Sequence, residues 1–307
     1  MPLAALAGAS GFLGRRLVRA FRGRGWQVRA LVRRDADATA LSAEGVDTLR
    51  GDLHDADSLA RLQAGADAAI NCAGLIKAHN LGAFLAVNRD GAARFAEAST
   101  ARQVLVSSLA AREPQLSPYA ASKRAGEEAA LAVAGGRLAV IRPPVIYGPG
   151  DRETLQLFRF AARSSLAPVP GAAAARLAMA HVDDVAAAVV DLAERSSLAG
   201  TWAVGGERPA GYAWEEIARA AWDAVGRRPR IVRLPGWSLM AAGSISQLST
   251  PFQRAAPIFT RGKAREMLHG AWAVAPQELA PGAPDARHTL ESGFADTVRW
   301  YRAAGWL

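Results

Sequence analysis

A tyrosine and a lysine spaced four residues apart form the pattern with the clearest chemical meaning in this sequence. At this spacing Tyr119 and Lys123 would lie on one face of a helix. A nearby cation lowers the pKa of a phenol, so the phenol can release and accept a proton close to neutral pH. The chain contains lysine only at positions 77, 123 and 263, so the spacing would be unusual as a coincidence. We interpret the two residues as a catalytic pair, with an incidental surface cation as the alternative.

A glycine-rich segment near the N-terminus has the features of a phosphate-binding turn. It lies between a short apolar run, residues 3–7, and a predicted helix at residues 15–22. Glycines let the backbone approach a pyrophosphate closely, and the positive end of the helix dipole stabilises its charge. A plain strand-to-helix turn is the alternative. We predict that the dinucleotide is bound by Gly8, Ser10, Gly11, Phe12, Leu13 and Gly14.

Two arginines at the end of the second apolar run bear on which dinucleotide binds. A site selective for NAD usually has an acidic residue there, which accepts a hydrogen bond from the ribose 2′-hydroxyl. Arg33 and Arg34 would instead suit a 2′-phosphate, although Asp35 follows them directly. We therefore predict NADP as the preferred cofactor and NAD as the second candidate. Further along, Asp52 and Leu53 could contact the adenine or form an ordinary turn before a helix.

Short apolar runs alternate with helical patterns over the first half of the chain. This alternation is typical of a parallel sheet with helices on both faces. The predicted strands are residues 3–7, 27–32, 68–73, 103–107 and 138–141. A helix at residues 183–195 and a strand at residues 201–204 would return the chain to the sheet. We predict an α/β fold, a Rossmann-type doubly wound parallel sheet with a smaller C-terminal substrate-binding lobe.

The predicted domain limits follow from where the alternation weakens. The dinucleotide-binding domain would span residues 1–147, with its sheet completed by residues 178–206. The smaller lobe would comprise residues 148–177 and 207–307. Helices are predicted in it at residues 155–163, 214–225 and 290–304, whereas residues 235–253 are apolar and poorly periodic.

Composition and charge exclude several classes of protein. Half of the 307 residues are hydrophobic and 21% are charged, so the chain is not a disordered one. The net charge of +9 comes from scattered arginines rather than a basic block, so we expect no nucleic-acid partner. One cysteine and five histidines without metal-ligand spacing predict no metal site. Because no basic leader or long apolar stretch is evident, we expect a soluble, cytoplasmic protein without an integral membrane segment.

These segments together resemble the short-chain dehydrogenase/reductases, in the extended NAD-dependent epimerase/dehydratase branch, over nearly the whole chain. Residues 8–14 are similar to the family's glycine motif, and Tyr119 and Lys123 to its catalytic pair. Asp52 and Leu53 are similar to its adenine contact, and residues 71–74 to the segment beside the nicotinamide ribose. Asn88 and Gly91 resemble its following helix. Residues 142–150 and 181–186 resemble its sixth-strand motif and the segment that enters the next helix.

The resemblance implies an NAD(P)-dependent oxidoreductase that transfers hydride to or from a carbonyl or hydroxyl of a small-molecule substrate. Tyr119 would exchange the proton of the substrate hydroxyl, and Lys123 would also hold the nicotinamide ribose. Two helices flanking the sheet could pair into a homodimer, as in relatives. Further cofactor contacts are implied for Cys72, Ala73, Gly74, Ser107, Pro143, Pro144 and Val145.

Two departures from the family's pattern leave alternatives open. Leu109 stands where the family usually has a catalytic Ser or Thr, so Ser108 either donates the hydrogen bond to a substrate carbonyl or contacts the cofactor. Leu177 and Val145 replace an Arg and an Asn typical of sugar-nucleotide epimerases. Arg176 and the turn at residues 148–151 are more similar to the branch around the nucleotide-binding accessory subunit of respiratory complex I.

Two other functions therefore remain as alternatives to the oxidoreductase. Resemblance to the complex I branch implies a non-catalytic NADPH-binding protein, which senses redox state or supports a complex. The family as a whole also includes nucleotide-sugar epimerases and dehydratases.

Overall fold

The computed structural model of the protein describes residues 1–98, 101–171, 174–195, 199–248 and 259–307. These residues form two compact units, residues 1–142 with 186–202 and residues 143–185 with 203–307. Among the described helices, none combines the length and the apolar composition needed to cross a membrane.

Strands in the described residues are mostly short, and seven of them form one parallel sheet in the order β11-β6-β5-β4-β1-β2-β3. The other six form three separate pairs, β7 with β10, β8 with β12 and β9 with β13. In chain order the strands are β1 (Leu3–Ala7), β2 (Gln27–Val32), β3 (Asp47–Arg50), β4 (Ala68–Asn71), β5 (Arg102–Val106), β6 (Leu138–Arg142), β7 (Val145–Tyr147), β8 (Leu166–Pro170), β9 (Arg176–Leu177), β10 (Met179–His181), β11 (Gly200–Ala203), β12 (Arg230–Leu234) and β13 (Ala271–Trp272).

The α-helices of the described residues alternate with the strands of the main sheet and then dominate the second unit. A π-helical segment, Ala86–Asp90, lies between the fourth and fifth helices. In chain order the helices are α1 (Phe12–Gly23), α2 (Asp35–Ala43), α3 (Ala56–Gln63), α4 (Leu81–Leu85), α5 (Gly91–Glu97), α6 (Pro118–Ala134), α7 (Leu155–Arg163), α8 (Val182–Glu194), α9 (Trp214–Ala224), α10 (Gly236–Leu248), α11 (Arg261–Leu268) and α12 (Leu290–Ala303).

The small apolar residues of β1 explain how helices cover both faces of the sheet. Ala5 and Ala7 pack against Leu59 of α3 and Phe95 of α5. The alternate residues of β1 are also fully buried, and α1 contacts β1 and β2. Because β1 lies between β4 and β2, the chain reverses its direction of winding there. In such sheets, ligands bind outside the carboxyl ends of the strands at this reversal.

The predicted α/β fold with a Rossmann-type parallel sheet is confirmed. α7 has the predicted bounds, whereas β4 ends at Asn71, two residues earlier than expected. β3 was not among the predicted strands, because Leu49 is its single large apolar residue and neither of its end residues is buried. α10 occupies most of the poorly periodic stretch at residues 235–253, of which residues 249–253 lie outside the described chain.

Aromatic side chains form the core of the second unit. Tyr147 meets Phe294 edge to face, with ring centroids 4.8 Å apart, and Phe158 meets Phe294 at 5.0 Å. Trp222 is also buried, and its Nε1 donates a hydrogen bond to the carbonyl of Ser164 at 2.7 Å. The contacts place residues 143–147 and 178–185 in this unit, whereas the sequence-based limits assign them to the dinucleotide-binding domain. Those limits stay a prediction.

Candidate functional site

The glycine-rich loop brings backbone N–H groups together at the N-terminus of α1. Gly11 is the N-cap residue, and no side chain caps the first N–H groups, which include those of Phe12 and Leu13. A methyl group added at Gly14 would lie 1.9 Å from the carbonyl oxygen of Gly8, so this close packing requires glycine. The first turn of α1 contains no acidic residue. These features fit a pyrophosphate, whose charge the N–H groups and the helix dipole would stabilise.

Arg33 and Arg34 differ in what holds their side chains. Arg34 donates to Asp37 from Nε at 2.8 Å and from Nη2 at 3.0 Å, a bidentate pair. This pair lowers the pKa of the Asp37 carboxyl, and Arg15 and Ser10 act in the same direction. Arg33 is exposed, and no ion pair to it occurs within the described residues. Arg33 is therefore the better placed of the two for a 2′-phosphate.

The predicted adenine contacts lie directly after β3. Leu53 is buried and packs with Leu31 and Leu59 in one apolar cluster. An oxygen of Asp52, Oδ1, accepts a hydrogen bond from the backbone N–H of His54 at 2.9 Å. Part of the acceptor capacity of Asp52 is thus used within its own turn, and contact with an adenine stays a prediction.

The segment after β4 lies against the lysine of the predicted catalytic pair. Oδ1 of Asn71 accepts from the N–H of Ala73 at 3.1 Å and fixes the turn around Cys72. Burial raises the pKa of the Cys72 thiol to about 12, although Lys123 opposes this effect. A methyl group added at Gly74 would lie 3.6 Å from Lys123 Nζ. The structure therefore brings residues 72–74 together with Lys123, as the family resemblance implies.

Tyr119 and Lys123 lie one turn apart near the start of α6. Ser117 caps the helix by accepting an N–H hydrogen bond at 3.0 Å, and Pro118 occupies the first helical position. Lys123 Nζ donates to the carbonyl oxygen of Val106 at the end of β5, at 2.8 Å. Burial lowers the pKa of Lys123 to about 8, although Cys72 and Glu127 act in the opposite direction. The ammonium is thus held in place and titrates close to physiological pH.

The three consecutive residues after β5, Ser107, Ser108 and Leu109, have different environments. Leu109 is 3% exposed and begins a short 3₁₀ turn, Leu109–Arg112, so its side chain belongs to the core. Ser108 caps this turn, and its Oγ accepts from a backbone N–H at 3.2 Å. Its hydroxyl hydrogen is still able to donate to a substrate. The Ser107 hydroxyl, in contrast, donates to the carboxylate of Glu127, so any cofactor contact of Ser107 remains a prediction.

Asn88 is a site residue whose role the sequence analysis missed. It lies in the π-helical segment, and its side chain accepts from the N–H of Leu75 at 2.8 Å and donates to the carbonyl of Leu75 at 3.0 Å. It also donates to Ser122 Oγ at 2.9 Å, and Ser122 in turn donates to the carbonyl of Tyr119 at 2.8 Å. Asn88 therefore connects the loop after β4 to the helix that carries the phenol. No local pattern in the sequence indicated this role, because Asn88 stands directly before two charged residues, Arg89 and Asp90.

Glu127 was also missed, although it follows Lys123 by four residues on the same helix. It is 2% exposed and accepts from Arg142 Nε at 2.8 Å, while a second guanidinium nitrogen binds its other oxygen. Together with the Ser107 hydroxyl, these donors satisfy the buried carboxylate. The spacing of four residues between a lysine and a glutamate was the signal.

The remaining predicted cofactor residues belong to the second unit. Pro143 and Pro144 are buried, and Val145 begins β7, where it pairs with Met179 of β10. Their contribution to cofactor binding stays a prediction.

Two distant histidines meet in the second unit, a contact that the sequence spacing did not indicate. His181 is fully buried, and its ring stacks on that of His288 with centroids 3.8 Å apart. With Asp183 they form a cluster of three side chains that each offer a ligand atom. The rings are inclined by 24°, so their in-plane lone pairs run side by side rather than converge on one ion. This geometry does not favour a metal site.

The arrangement in the first unit can hold a nicotinamide dinucleotide and move a proton. The N-terminus of α1 fits the pyrophosphate, and Arg33 suits a 2′-phosphate. Lys123 Nζ donates to the carbonyl of Val106 and lies close to Gly74, which is compatible with the contact to the nicotinamide ribose that the family resemblance implies. The phenol of Tyr119 belongs to a residue that lies one helical turn before Lys123 on α6.

Comparison with known proteins agrees with this geometry. Residues 4–205 match the NAD dependent epimerase/dehydratase family. The chain is 47% identical over 306 residues to a protein named ceramide reductase from Caulobacter vibrioides, covering 99% of this chain and 95% of that protein.

Two further proteins are similar to the chain. A mitochondrial NADH dehydrogenase [ubiquinone] 1 alpha subcomplex subunit 9 from Arabidopsis thaliana is 30% identical over 245 residues, covering 76% of this chain and 60% of that protein. A crystal structure of the human epimerase family protein SDR39U1 with NADPH is 20% identical and superposes with a TM-score of 0.72, covering 97% and 99% of the two chains.

Proposed function

The chain belongs to the NAD dependent epimerase/dehydratase family, and we propose that it uses NADPH to reduce a ketone of a ceramide-type lipid to a hydroxyl. It is an NAD(P)-dependent oxidoreductase of the extended short-chain type. The observation that carries the choice of substrate is the 47% identity, over 99% of the chain, to the protein named ceramide reductase. A ceramide bears hydroxyl groups on its long-chain base, so a ketone at one of these positions is the matching oxidised group.

The proposed chemistry assigns the proton to Tyr119. When bound, NADPH would supply the hydride for this reduction. The phenol of Tyr119 would donate its proton to the carbonyl oxygen of the substrate. The Lys123 ammonium, held by the carbonyl of Val106, stabilises the phenolate that remains. Ser108 donates a hydrogen bond to the same substrate oxygen and orients the carbonyl. Its position, partly exposed at the start of a turn, supports this role.

NADPH is the proposed reductant, because Arg33 is exposed and has no ion pair within the described residues, whereas Arg34 is engaged by Asp37.

We further propose that the protein acts in the cytoplasm, to which its single cysteine is suited. Pairing of two copies through helices that flank the main sheet is part of the same proposal.

The direct test is turnover with a ketone-bearing ceramide. Purified protein is incubated with this lipid in detergent micelles and with NADPH or NADH, and nicotinamide oxidation is followed by absorbance. Mass spectrometry should show a product heavier by two hydrogen atoms, formed faster with NADPH. UDP-sugars serve as the comparison substrates. Turnover of a UDP-sugar without turnover of the lipid would instead support the nucleotide-sugar epimerase or dehydratase.

A second candidate function is supported by Leu109. This residue occupies the position of the family's usual Ser or Thr and is buried in the core, so it supplies no hydrogen-bond donor there. A non-catalytic NADPH-binding protein would tolerate that loss. NADPH binding without reduction of any carbonyl in a broad screen would support this function over the reductase.

A further inference from the structure

α10 presents large apolar side chains to solvent. Trp237 is 74% exposed and Ile245 is 69% exposed, more than any other large apolar side chain of the described residues except Met1. Ala241, halfway between them, is exposed as well. Because these residues are spaced by four, they lie along one face of the helix. An exposed apolar face of this kind usually marks an interaction surface.

The opposite side of α10 is already occupied. A methyl group added at Gly243 would lie 2.8 Å from the carbonyl oxygen of Thr260, directly before α11, and Gly243 itself is buried. Near the other end of α10, Gly236 lies against the side chain of Leu268 at the end of α11. The two helices are therefore antiparallel and in contact. Packing within the second unit thus uses the glycine side of α10 and leaves the face of Trp237 and Ile245 without a partner in the described residues.

Cations lie on α11, the helix that packs next to α10. Arg261, Lys263 and Arg265 are all exposed on α11, and Arg261 directly follows the residue that Gly243 contacts. Lys263 is paired with Glu266, and Arg233 of β12, just before α10, is paired with Glu215. Since α11 carries three cations and one acidic residue, the charge complement of this helix is an anionic surface.

We propose that the exposed face of α10, together with Arg261 and Arg265 of α11, docks on the surface of an anionic phospholipid bilayer. At 13 residues the helix is about 20 Å long, too short to span a bilayer, so it would lie in the plane of the interface. Tryptophan is favoured at this depth, because its ring is apolar and its N–H can reach polar headgroups. Arg261 and Arg265 would contact lipid phosphates beside it. Docking of this kind does not depend on which substrate the first unit reduces.

The test is sedimentation of the full chain with vesicles that contain no ceramide, in the absence of NADPH. Vesicles of phosphatidylcholine with a minority of phosphatidylglycerol are compared with vesicles of phosphatidylcholine alone. The unmodified protein should bind the anionic vesicles more tightly, and added salt should weaken that binding. Trp237→Glu with Ile245→Glu should lower the affinity by about tenfold or more.

Two controls keep the test specific. Val133→Glu introduces one negative charge, where the α10 variant introduces two, at an apolar position of α6 that is 37% exposed, and it should bind as the unmodified protein does. Arg261→Gln with Arg265→Gln should weaken binding to anionic vesicles by about tenfold. Removal of two exposed arginines elsewhere, Arg19→Gln with Arg61→Gln, should weaken it much less. Circular dichroism and NADPH binding verify that each variant is folded.

The proposal would be overturned by results of two kinds, in vesicle binding and in oligomeric state. One is equal binding of the α10 variants and the Val133→Glu control, or no binding of the unmodified protein to anionic vesicles. The other is a dimer, seen by sedimentation equilibrium, that Trp237→Glu dissociates while vesicle binding is unchanged. In that case a second copy of the chain covers this face.

Discussion

The side-chain amide of Asn88 donates a hydrogen bond to Ser122 Oγ at 2.9 Å, and this contact links a π-helical segment to the helix of the catalytic pair. The Ser122 hydroxyl in turn donates a hydrogen bond to the backbone carbonyl of Tyr119. Both residues are buried, so neither hydrogen bond is exchanged readily for one to water. The position of the phenol thus depends on a residue that we expect to touch neither cofactor nor substrate.

Replacement of Asn88 by Ala should impair both stability and turnover. The N–H and C=O of Leu75 would lose their partner, and Ser122 Oγ would lose the hydrogen bond that it accepts. The free energy of unfolding should therefore fall by about 3 kcal/mol. Urea denaturation measures this change. Ser122→Ala is the matched control, because it removes the link to Tyr119 but leaves Leu75 satisfied. It should lower kcat with a smaller loss of stability, and an unchanged kcat would show that the link does not position the phenol.

Tyr119→Phe should bind NADPH as the unmodified protein does and should lose turnover by about a hundredfold or more, because the variant lacks the proposed proton donor. Nicotinamide fluorescence measures the dissociation constant, and NADPH oxidation with the ketone substrate measures kcat. Full activity in the variant would exclude Tyr119 as the acid.

Arg33→Ala should lower the affinity for NADPH by about tenfold or more and leave that for NADH nearly unchanged, because only NADPH carries the 2′-phosphate. Arg34→Ala is the matched control. Since Arg34 is held by Asp37, its removal should affect the two cofactors similarly. Equal losses of NADPH and NADH affinity in Arg33→Ala would show that Arg33 does not bind that phosphate.

Turnover should decline as the pH rises through about 8, because burial holds the pKa of Lys123 near that value. Below it the ammonium is charged and stabilises the phenolate, and above it this stabilisation is lost. Lys123→Arg, whose guanidinium stays charged across this range, should be less active but should lack the decline. The pH profiles of kcat for the two proteins decide the point. A decline at the same pH in the variant would assign it to another group.

The second unit should lose stability as the pH falls below about 6.5. Burial first, and then the charge of His288, lowers the pKa of His181 from 6.5, whereas Asp183, Asp184 and Asp296 act in the opposite direction. The unfolded chain therefore binds a proton more readily than the folded one, so acidification favours unfolding.

His181→Asn keeps an acceptor for the N–H of Asp183 and should flatten this pH dependence, measured by urea denaturation at a series of pH values. His79→Asn, at an exposed histidine, is the control and should retain the pH dependence of the unmodified protein. Parallel stability curves for His181→Asn and the unmodified protein would contradict the assignment.

The sequence was sufficient for the Rossmann-type sheet apart from β3, because the alternation of strands and helices depends on local spacing. The roles assigned to the glycine loop and to the pair on α6 stay predictions. Asn88 and Glu127 were not recognised as site residues, since their partners lie 13 to 34 and 15 to 20 residues away and only the folded chain brings them together. The same reason applies to His181 and His288. The separate pairing of β7 with β10 depends on tertiary contacts, for which two short apolar runs give no register.

Gly126 of α6 has a further consequence for motion. A methyl group there would lie 2.0 Å from the carbonyl oxygen of Asn88, so the two backbones are in direct contact below the catalytic pair. A helix held this closely cannot slide or rotate without opening that contact. Hydrogen exchange in the middle of α6 should therefore require the rare opening of a large part of the first unit. Rearrangements that admit a substrate should then come from other segments, while the backbones of Tyr119 and Lys123 keep their relative positions.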